Sequence, residues 1–295
     1  MTSFDYVVAR SIDDVTSLLN RDGMRAGILA GGTDLLVQLR EHRRALDLVI
    51  DVKHIPELNT LAYDPASGLT IGAAVSCLRI CGDADAQNRY PGLVDAVKLI
   101  GGTQIQGRAT LGGNLVNASP AADSIPALIV HQAVVDIAGP HGRRSVPVES
   151  FCTAPGRTVL QAGEFVVSLR IPPPVAGFGA HYQRFIPRNE MDIAVVGAGA
   201  AVWLSPDGSR FERVRVALAA VAPVPLYIPE IGERLSGQPV SDALVDEAGR
   251  IAASAARPIS DVRGTAEQRT HLSAVLTRRA LTAAIARARQ PLAEG

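Results

Sequence analysis

Two glycine-rich stretches constrain this chain more than any other feature: "ILAGGTDLL" at 28–36 and "TLGGNLVNASPAADSIP" at 110–126. The second has neither the period of a helix nor that of a strand, so it reads as bare backbone kept for a purpose. In the first, Gly31 and Gly32 stand where a short apolar strand (26–30) gives way to a helix. Thr33 is placed to cap that helix, and Leu35, Leu36 and Leu39 to face inward. Such a junction leaves backbone N–H groups unpaired at the positive end of a helix dipole. Glycine removes the side chains that would hold a bulky anion away from them, which is a recipe for a phosphate cradle. Taken alone, Gly-Gly-Thr is more often a tight turn without a ligand. The second stretch changes that weighting. Gly112 and Gly113 are followed by Asn114, whose amide both donates and accepts, with hydroxyls at Thr110 and Ser119 and a carboxylate at Asp123. Two such segments can clamp a pyrophosphate between two subdomains, with the carboxylate near a ribose. The residues imply a nucleotide diphosphate without naming which.

The flanking pattern is mixed α and β. Residues 11–20 read as a helix capped by Ser11, with Val15, Leu18 and Leu19 as its apolar stripe. Strands at 26–30 and 46–52 around the next helix form a small βαβ unit with a parallel pair. A strand at 69–74, helices at 76–87 and 91–104, a hairpin of "AVVDIA" and "RRSVPV" about "GPHG", and a strand at 163–172 follow. The "PPP" at 172–174 breaks any regular element and marks a domain boundary. Beyond it, "GAHYQRF", "IAVVGAGAAVWL" and "RVRVALAAVAP" read as a three-stranded antiparallel meander. Helices at 241–257 (capped by Ser241 or Asp242, inward stripe Leu244, Ala248, Ile251, Ala255) and 265–290 end the chain. "GAGAAV" lacks the third glycine and the βα context of a dinucleotide fingerprint, so Gly197 and Gly199 are read as close packing of a strand.

Composition removes several functions. The 295 residues carry no formal net charge, so there is no basic field for nucleic acid or anionic lipid. No apolar run approaches the roughly 20 residues of a membrane span, and the N-terminus lacks a secretory pattern, so a cytoplasmic protein is expected. Cys77, Cys81 and Cys152 are too few for a disulfide framework or a metal site, and are read as ordinary buried thiols. His131, His141 and His181 show no metal spacing, and no Ser/His/Asp arrangement is evident. Arg278, Arg279, Arg287 and Arg289 are read as the solvated face of the last helix.

"AGGTDLL" (30–36), "TQIQGRATLGGNLVNASPAADSIPAL" (103–128), "YQRFIPRNEMDIAVVGAGAAV" (182–202) and "ARPISDVRGTAEQRTHLSAVLTRRAL" (256–281) together resemble the FAD-binding medium subunit of the molybdenum hydroxylases. That family includes flavoprotein subunits of xanthine, carbon monoxide and nicotine dehydrogenases. The resemblance runs through nearly the whole chain. It implies an α+β fold: a vanillyl-alcohol-oxidase (PCMH-type) FAD domain of two α+β subdomains, about 1–55 and 56–174. A C-terminal α+β domain, 175–290, would follow, with a three-stranded antiparallel sheet and helices. It implies an oxidoreductase subunit that takes electrons from two [2Fe–2S] clusters on a small partner and passes them to an external acceptor. Substrate oxidation would belong to a large molybdopterin subunit, the whole assembling as a dimer of heterotrimers. FAD would be non-covalent.

Position by position, the resemblance gives Ile28, Leu29, Ala30, Gly31, Gly32, Thr33, Asp34 and Leu35 as the first pyrophosphate segment. It gives Thr110, Leu111, Gly112, Gly113 and Asn114 as the second. Ile100 aligns with an apolar position packed on the cofactor, Asp123 with an acid near the ribose and adenine, and Leu169 with a backbone contact to the flavin. Arg184 stands where a lysine is usual near the flavin, keeping the charge but not the geometry. Gly107 stands where an asparagine is common. The chain has no inserted cysteine cluster of the kind that carries an extra [4Fe–4S] centre in the hydroxybenzoyl-CoA reductase branch. Gly112→Val is expected to weaken FAD while leaving the fold standing. Two other readings are a self-sufficient FAD enzyme of the same fold, for which no substrate-side acid or base is evident, and a flavin-less scaffold, which both intact glycine segments oppose.

Overall fold

The computed structural model describes residues 3–188 and 191–290; Asn189 and Glu190 of the third motif lie outside the described residues. The chain opens with β1 (Asp5–Val8) and α1 (Ile12–Leu19). Ser11 and Asp14 close a capping box there: the serine hydroxyl accepts the Asp14 N–H while the aspartate accepts the Ser11 N–H, each at 3.0 Å. Then come β2 (Ala26–Leu29), α2 (Leu35–Arg40) and β3 (Leu48–Asp51), with strand order β1-β3-β2, all parallel. The expected βαβ unit is present, with β1 as an addition. Thr33 does not cap α2: the helix starts after Asp34, which makes no side-chain cap. Starting there, six residues bury only Leu35 and Leu39, and Leu36 is 43% exposed rather than inward.

The second unit holds β4 (Leu61–Asp64), β5 (Gly68–Gly72) and then six short helices. These are α3 (Cys77–Gly82), α4 (Ala84–Arg89), α5 (Pro91–Val97), α6 (Thr103–Gln106), α7 (Leu111–Val116) and α8 (Ser124–Val130). The single helix expected over 76–87 is two, because the Asp83 carboxylate accepts the Ala86 N–H and starts a new helix. The helix expected over 91–104 stops at Val97, ahead of Gly101 at φ +60. Strands β6 (Val134–Gly139), β7 (Gly142–Pro147), β8 (Cys152–Ala154), β9 (Arg157–Thr158) and β10 (Phe165–Ile171) complete it. β6 and β7 form the expected hairpin, and an antiparallel sheet runs β4-β5-β10-β6-β7. β10 is buried on both faces over most of its length, which is why it opens on three apolar residues; Ser168 and Arg170 interrupt the run, and both bond to Asp136 of β6. Phe165 and Val167 belong to the core shared with Val15, Leu18 and Ile50 of the first unit, while Val166 and Leu169 belong to the core that holds Leu128 and Ile137.

Pro172, Pro173 and Pro174 lead out of this sheet. Beyond them are β11 (Phe178–Phe185), β12 (Val196–Leu204), β13 (Phe211–Ala219) and a short β14 (Leu226–Tyr227) as an antiparallel meander. The helices α9 (Pro229–Leu235), α10 (Asp242–Ala255) and α11 (Ala266–Ala288) cover one face. Val202, Val214, Val216 and Leu218 sit under these helices, whereas Tyr182, Ala201, Trp203 and Ala217 join the core of the second unit. The buried stripe of α10 is Val245, Ala248, Gly249 and Ala252, with the expected Leu244, Ile251 and Ala255 flanking it. Gly199 is close packing, as read: a Cβ there would stand 3.0 Å from the Pro126 carbonyl oxygen of α8. Asp95 of α5 ties the two parts together. It accepts from Arg287 of α11 and from the Tyr182 N–H, and His181 Nδ1 lies 2.7 Å from it. Among the described residues no helix is long and apolar enough to cross a membrane.

Candidate functional site

A cleft of about 490 Å³ opens between the parallel sheet and the second unit, and both glycine segments line it. The glycines there do different things. A Cβ on Gly31 would fall 2.1 Å from the Arg108 carbonyl oxygen, so glycine lets the first segment lie directly on the chain leading into the second. Gly32 is at φ +79, a conformation that side chains disfavour. Gly112 backs onto Ala73, where a Cβ would meet the main-chain oxygen at 2.6 Å. Of the four glycines in the two segments Gly113 is the least crowded, a Cβ there meeting only Thr110 Oγ1, at 3.1 Å. The second segment is therefore not bare loop. Thr110 caps α7 by accepting the Gly113 N–H at 2.9 Å. The helix escapes a periodicity search because it is six residues long and two of them are glycine.

The lining includes Ile28, Ala30, Gly31, Gly32, Thr33, Asp34, Leu35, Ile100, Thr110, Gly112, Gly113 and Asn114. Leu29 and Leu111 lie in the same segments with their side chains in the apolar core. Leu169 lies deep in β10, paired on both sides, and its strand meets the cleft through Phe165 and Val166. Asp123 and Arg184 are brought to each other, beside the cleft rather than in its lining. Arg184 forms a buried ion pair with Asp123, whose other oxygen accepts from the Tyr182 hydroxyl at 2.8 Å. Burial raises the Asp123 carboxyl to about 6, against the pull of Arg184 and Tyr182.

Several lining residues escaped the sequence reading. Asn117 donates to Asp34 at 3.2 Å and accepts from Gln38 at 3.4 Å, bridging α7 to the first segment. Its position three after Asn114, on one helix face, was the available signal. Burial raises the Asp34 carboxyl. Arg44, from the connection between α2 and β3, is the one cation in the lining among the described residues, and nothing in its local sequence marks it. Glu164 lines the cleft but is held by a two-pronged ion pair with Arg144, both bonds at 2.7 Å. No cluster of metal-ligating side chains occurs among the described residues. Burial pushes the thiols of Cys77 and Cys152 up to about 12 and 11, so neither is a ready nucleophile.

The arrangement is a cleft of mixed character, with apolar walls, glycine-lined approaches to backbone, and polar side chains such as Thr33, Gln38, Arg44, Asn114 and Asn117, as suits a nucleotide cofactor. Comparison with known proteins points the same way. Residues 2–174 match the family model of the FAD binding domain in molybdopterin dehydrogenase, and 181–284 that of the CO dehydrogenase flavoprotein C-terminal domain. The chain is 32% identical to the carbon monoxide dehydrogenase medium chain of Hydrogenophaga pseudoflava, over 96% of this chain and 98% of that one. It is 30% identical to the xanthine dehydrogenase FAD-binding subunit of Escherichia coli O157:H7, over 96% of each. A solved carbon monoxide dehydrogenase from Hydrogenophaga pseudoflava superposes with a TM-score of 0.92 at 31% identity, covering 97% of this chain and 98% of the other. The chain belongs to the family of FAD-binding medium subunits of the molybdopterin dehydrogenases.

Proposed function

We propose that this chain is the FAD-carrying electron-transfer subunit of a heteromeric molybdenum-containing dehydrogenase. The observation that carries the reading is the meeting of two glycine segments, eighty residues apart, at one cleft, the first lying on the backbone of Arg108 and Ala109 that leads into the second. The cleft fits FAD in kind: Leu58, Ile100, Leu160, Phe165 and Val166 offer apolar walls, and Gly113 puts no side chain between the first turn of α7 and a phosphate. Arg44 offers a counter-charge. We assign Ile28 to Leu35 and Thr110 to Asn114 to the pyrophosphate, with Ile100 packed on the cofactor. Asp123, Leu169 and Arg184 act from behind the cleft wall. FAD, when bound, supplies the redox chemistry, taking electrons from iron–sulfur clusters of a partner and yielding them to an external acceptor. This chain binds it, excludes water from its buried edge and docks the partner.

The same reading divides the chain at the proline run, with subdomains of about 1–55 and 56–174 and a C-terminal domain of 175–290. It places a large molybdopterin subunit and a small [2Fe–2S] subunit beside the chain, as a dimer of heterotrimers in the cytoplasm. The test is to assay the purified chain with a dye acceptor against N-heterocycles, aldehydes and carbon monoxide, alone and with the two partner subunits. Turnover only in the reconstituted complex is expected. Turnover by the chain alone would favour a self-sufficient flavoenzyme. Denatured protein should release its flavin to the supernatant; a chain unable to take up FAD overturns the reading.

A further inference from the structure

Ser124 is the first residue of α8, fully buried, and does not line the cleft. Its hydroxyl lies 2.5 Å from Oδ1 of Asn114, which does line it. That separation suits an O–H donor meeting an oxygen and is short for an amide N–H meeting a hydroxyl. The Asn114 carbonyl is thus engaged from behind. Its NH₂ group makes no hydrogen bond to the protein among the described residues. An amide free to turn would offer the cleft an acceptor as readily as a donor. One whose oxygen is held by a buried hydroxyl is fixed against that turn, with its NH₂ left to donate.

We infer that Ser124 is a positioning residue that fixes the polarity of Asn114, so that the second glycine segment presents a hydrogen-bond donor to an anionic ligand oxygen. The inference rests on the FAD reading above and deepens it. Gly113 N–H is already taken by Thr110, so Asn114 supplies the donor that the cap removes from the first turn of α7. Ser124 also adjoins Asp123, which Tyr182 and Arg184 hold from β11. The C-terminal sheet therefore sets the placement of the hydroxyl, and through it that of the amide.

The test is a double-mutant cycle on the full-length chain, with FAD titrated into deflavinated protein. Thermal melts would run alongside. Ser124→Ala should weaken FAD about tenfold, and Ser124→Thr, which keeps the hydroxyl, should restore most of it. In an Asn114→Ala background Ser124→Ala should change FAD affinity less than about twofold, because the two residues act as one unit. Asn114→Asp, which keeps the shape but offers an anionic acceptor, should weaken FAD more than Asn114→Ala does. An equal loss from Ser124→Ala in both backgrounds would make Ser124 a packing residue and overturn its assignment, with wild-type FAD binding intact. Wild-type chain that takes up no FAD would overturn the reading beneath it, and this inference with it.

Discussion

The Tyr182 hydroxyl reaches Asp123 because Gly197, on the neighbouring strand, has no side chain: a Cβ there would stand 2.3 Å from that hydroxyl and 3.1 Å from the ring carbon bearing it. A tyrosine ring held in a sheet-to-helix core cannot swing aside. Gly197→Ala should therefore push the hydroxyl off Asp123 and cost roughly 1–3 kcal/mol of stability, as overpacking does. Tyr182→Phe removes the atom that is struck, so most of that cost should vanish in a Tyr182→Phe background. Denaturant unfolding of the four variants measures it. An undiminished cost in the phenylalanine background would place the clash elsewhere.

This contact also shows what the sequence could and could not carry. The strand character of β12 is legible in its apolar run, and so is the reason for Gly197 and Gly199, since glycine in a buried strand means close approach. What lies opposite them, Tyr182 and Pro126, depends on how sheet and helix dock, which no local pattern states. In the cleft the glycine pairs were legible for the same reason: they are exceptions to a side-chain rule. Arg44 and Glu164 were not, being ordinary surface types whose position is set by the chain returning from elsewhere. Thr33 was misread as a cap because the motif fits the first turn one residue early, and the backbone at Asp34 is already helical.

Asp123 predicts an unusual pH dependence. Its carboxyl is raised to about 6 from an ordinary 3.8, first by burial. The folded state therefore holds the proton more tightly than the unfolded chain does. The resulting stabilisation is full below about pH 4 and is lost as pH rises through 6. Asp123→Asn, neutral throughout, should lack this slope. The stability of wild type relative to Asp123→Asn should thus fall by roughly 1–3 kcal/mol between pH 4 and pH 7. Any constant offset reports instead the Arg184 left without its partner. A flat difference across that range would mean the carboxylate stays ionised throughout.

Asp95 predicts the opposite sign. Burial opposes its ionisation, but His181 and Arg287 outweigh burial and hold the carboxyl well below the usual range. Its contribution is present above the unfolded value near 4 and is lost as pH falls below it. Asp95 belongs to α5 and Arg287 to α11, so the pair joins the second unit to the C-terminal helices. Arg287→Met should cost roughly 3 kcal/mol at pH 7 by leaving a buried carboxylate short of a partner. That cost should shrink in acid. Asp95→Asn should flatten the acid limb of the unfolding profile. An Arg287→Met cost unchanged from pH 7 to pH 3 would show that packing of the arginine stem, not the charge, joins the parts.

The two glycines of α7 separate cofactor binding from folding. Gly112 backs onto the main chain of Ala73, so the expectation that Gly112→Val would spare the fold does not stand. Its branched side chain has only backbone to push, and should cost roughly 1–3 kcal/mol of stability along with FAD affinity. Gly113 faces the cleft, and a methyl there meets only the Thr110 hydroxyl at 3.1 Å, which can give by a few tenths of an ångström. Gly113→Ala should leave stability within about 0.5 kcal/mol, since alanine also suits a helix better than glycine does. Its methyl would nonetheless stand between the first turn of α7 and a pyrophosphate, so FAD affinity should drop about tenfold, or about 1.4 kcal/mol. Denaturant unfolding gives the first quantity and flavin fluorescence titration the second. Gly113→Ala binding FAD as tightly as wild type would show that the first turn of α7 does not touch the cofactor. The pyrophosphate would then have to rest on the 28–35 segment alone.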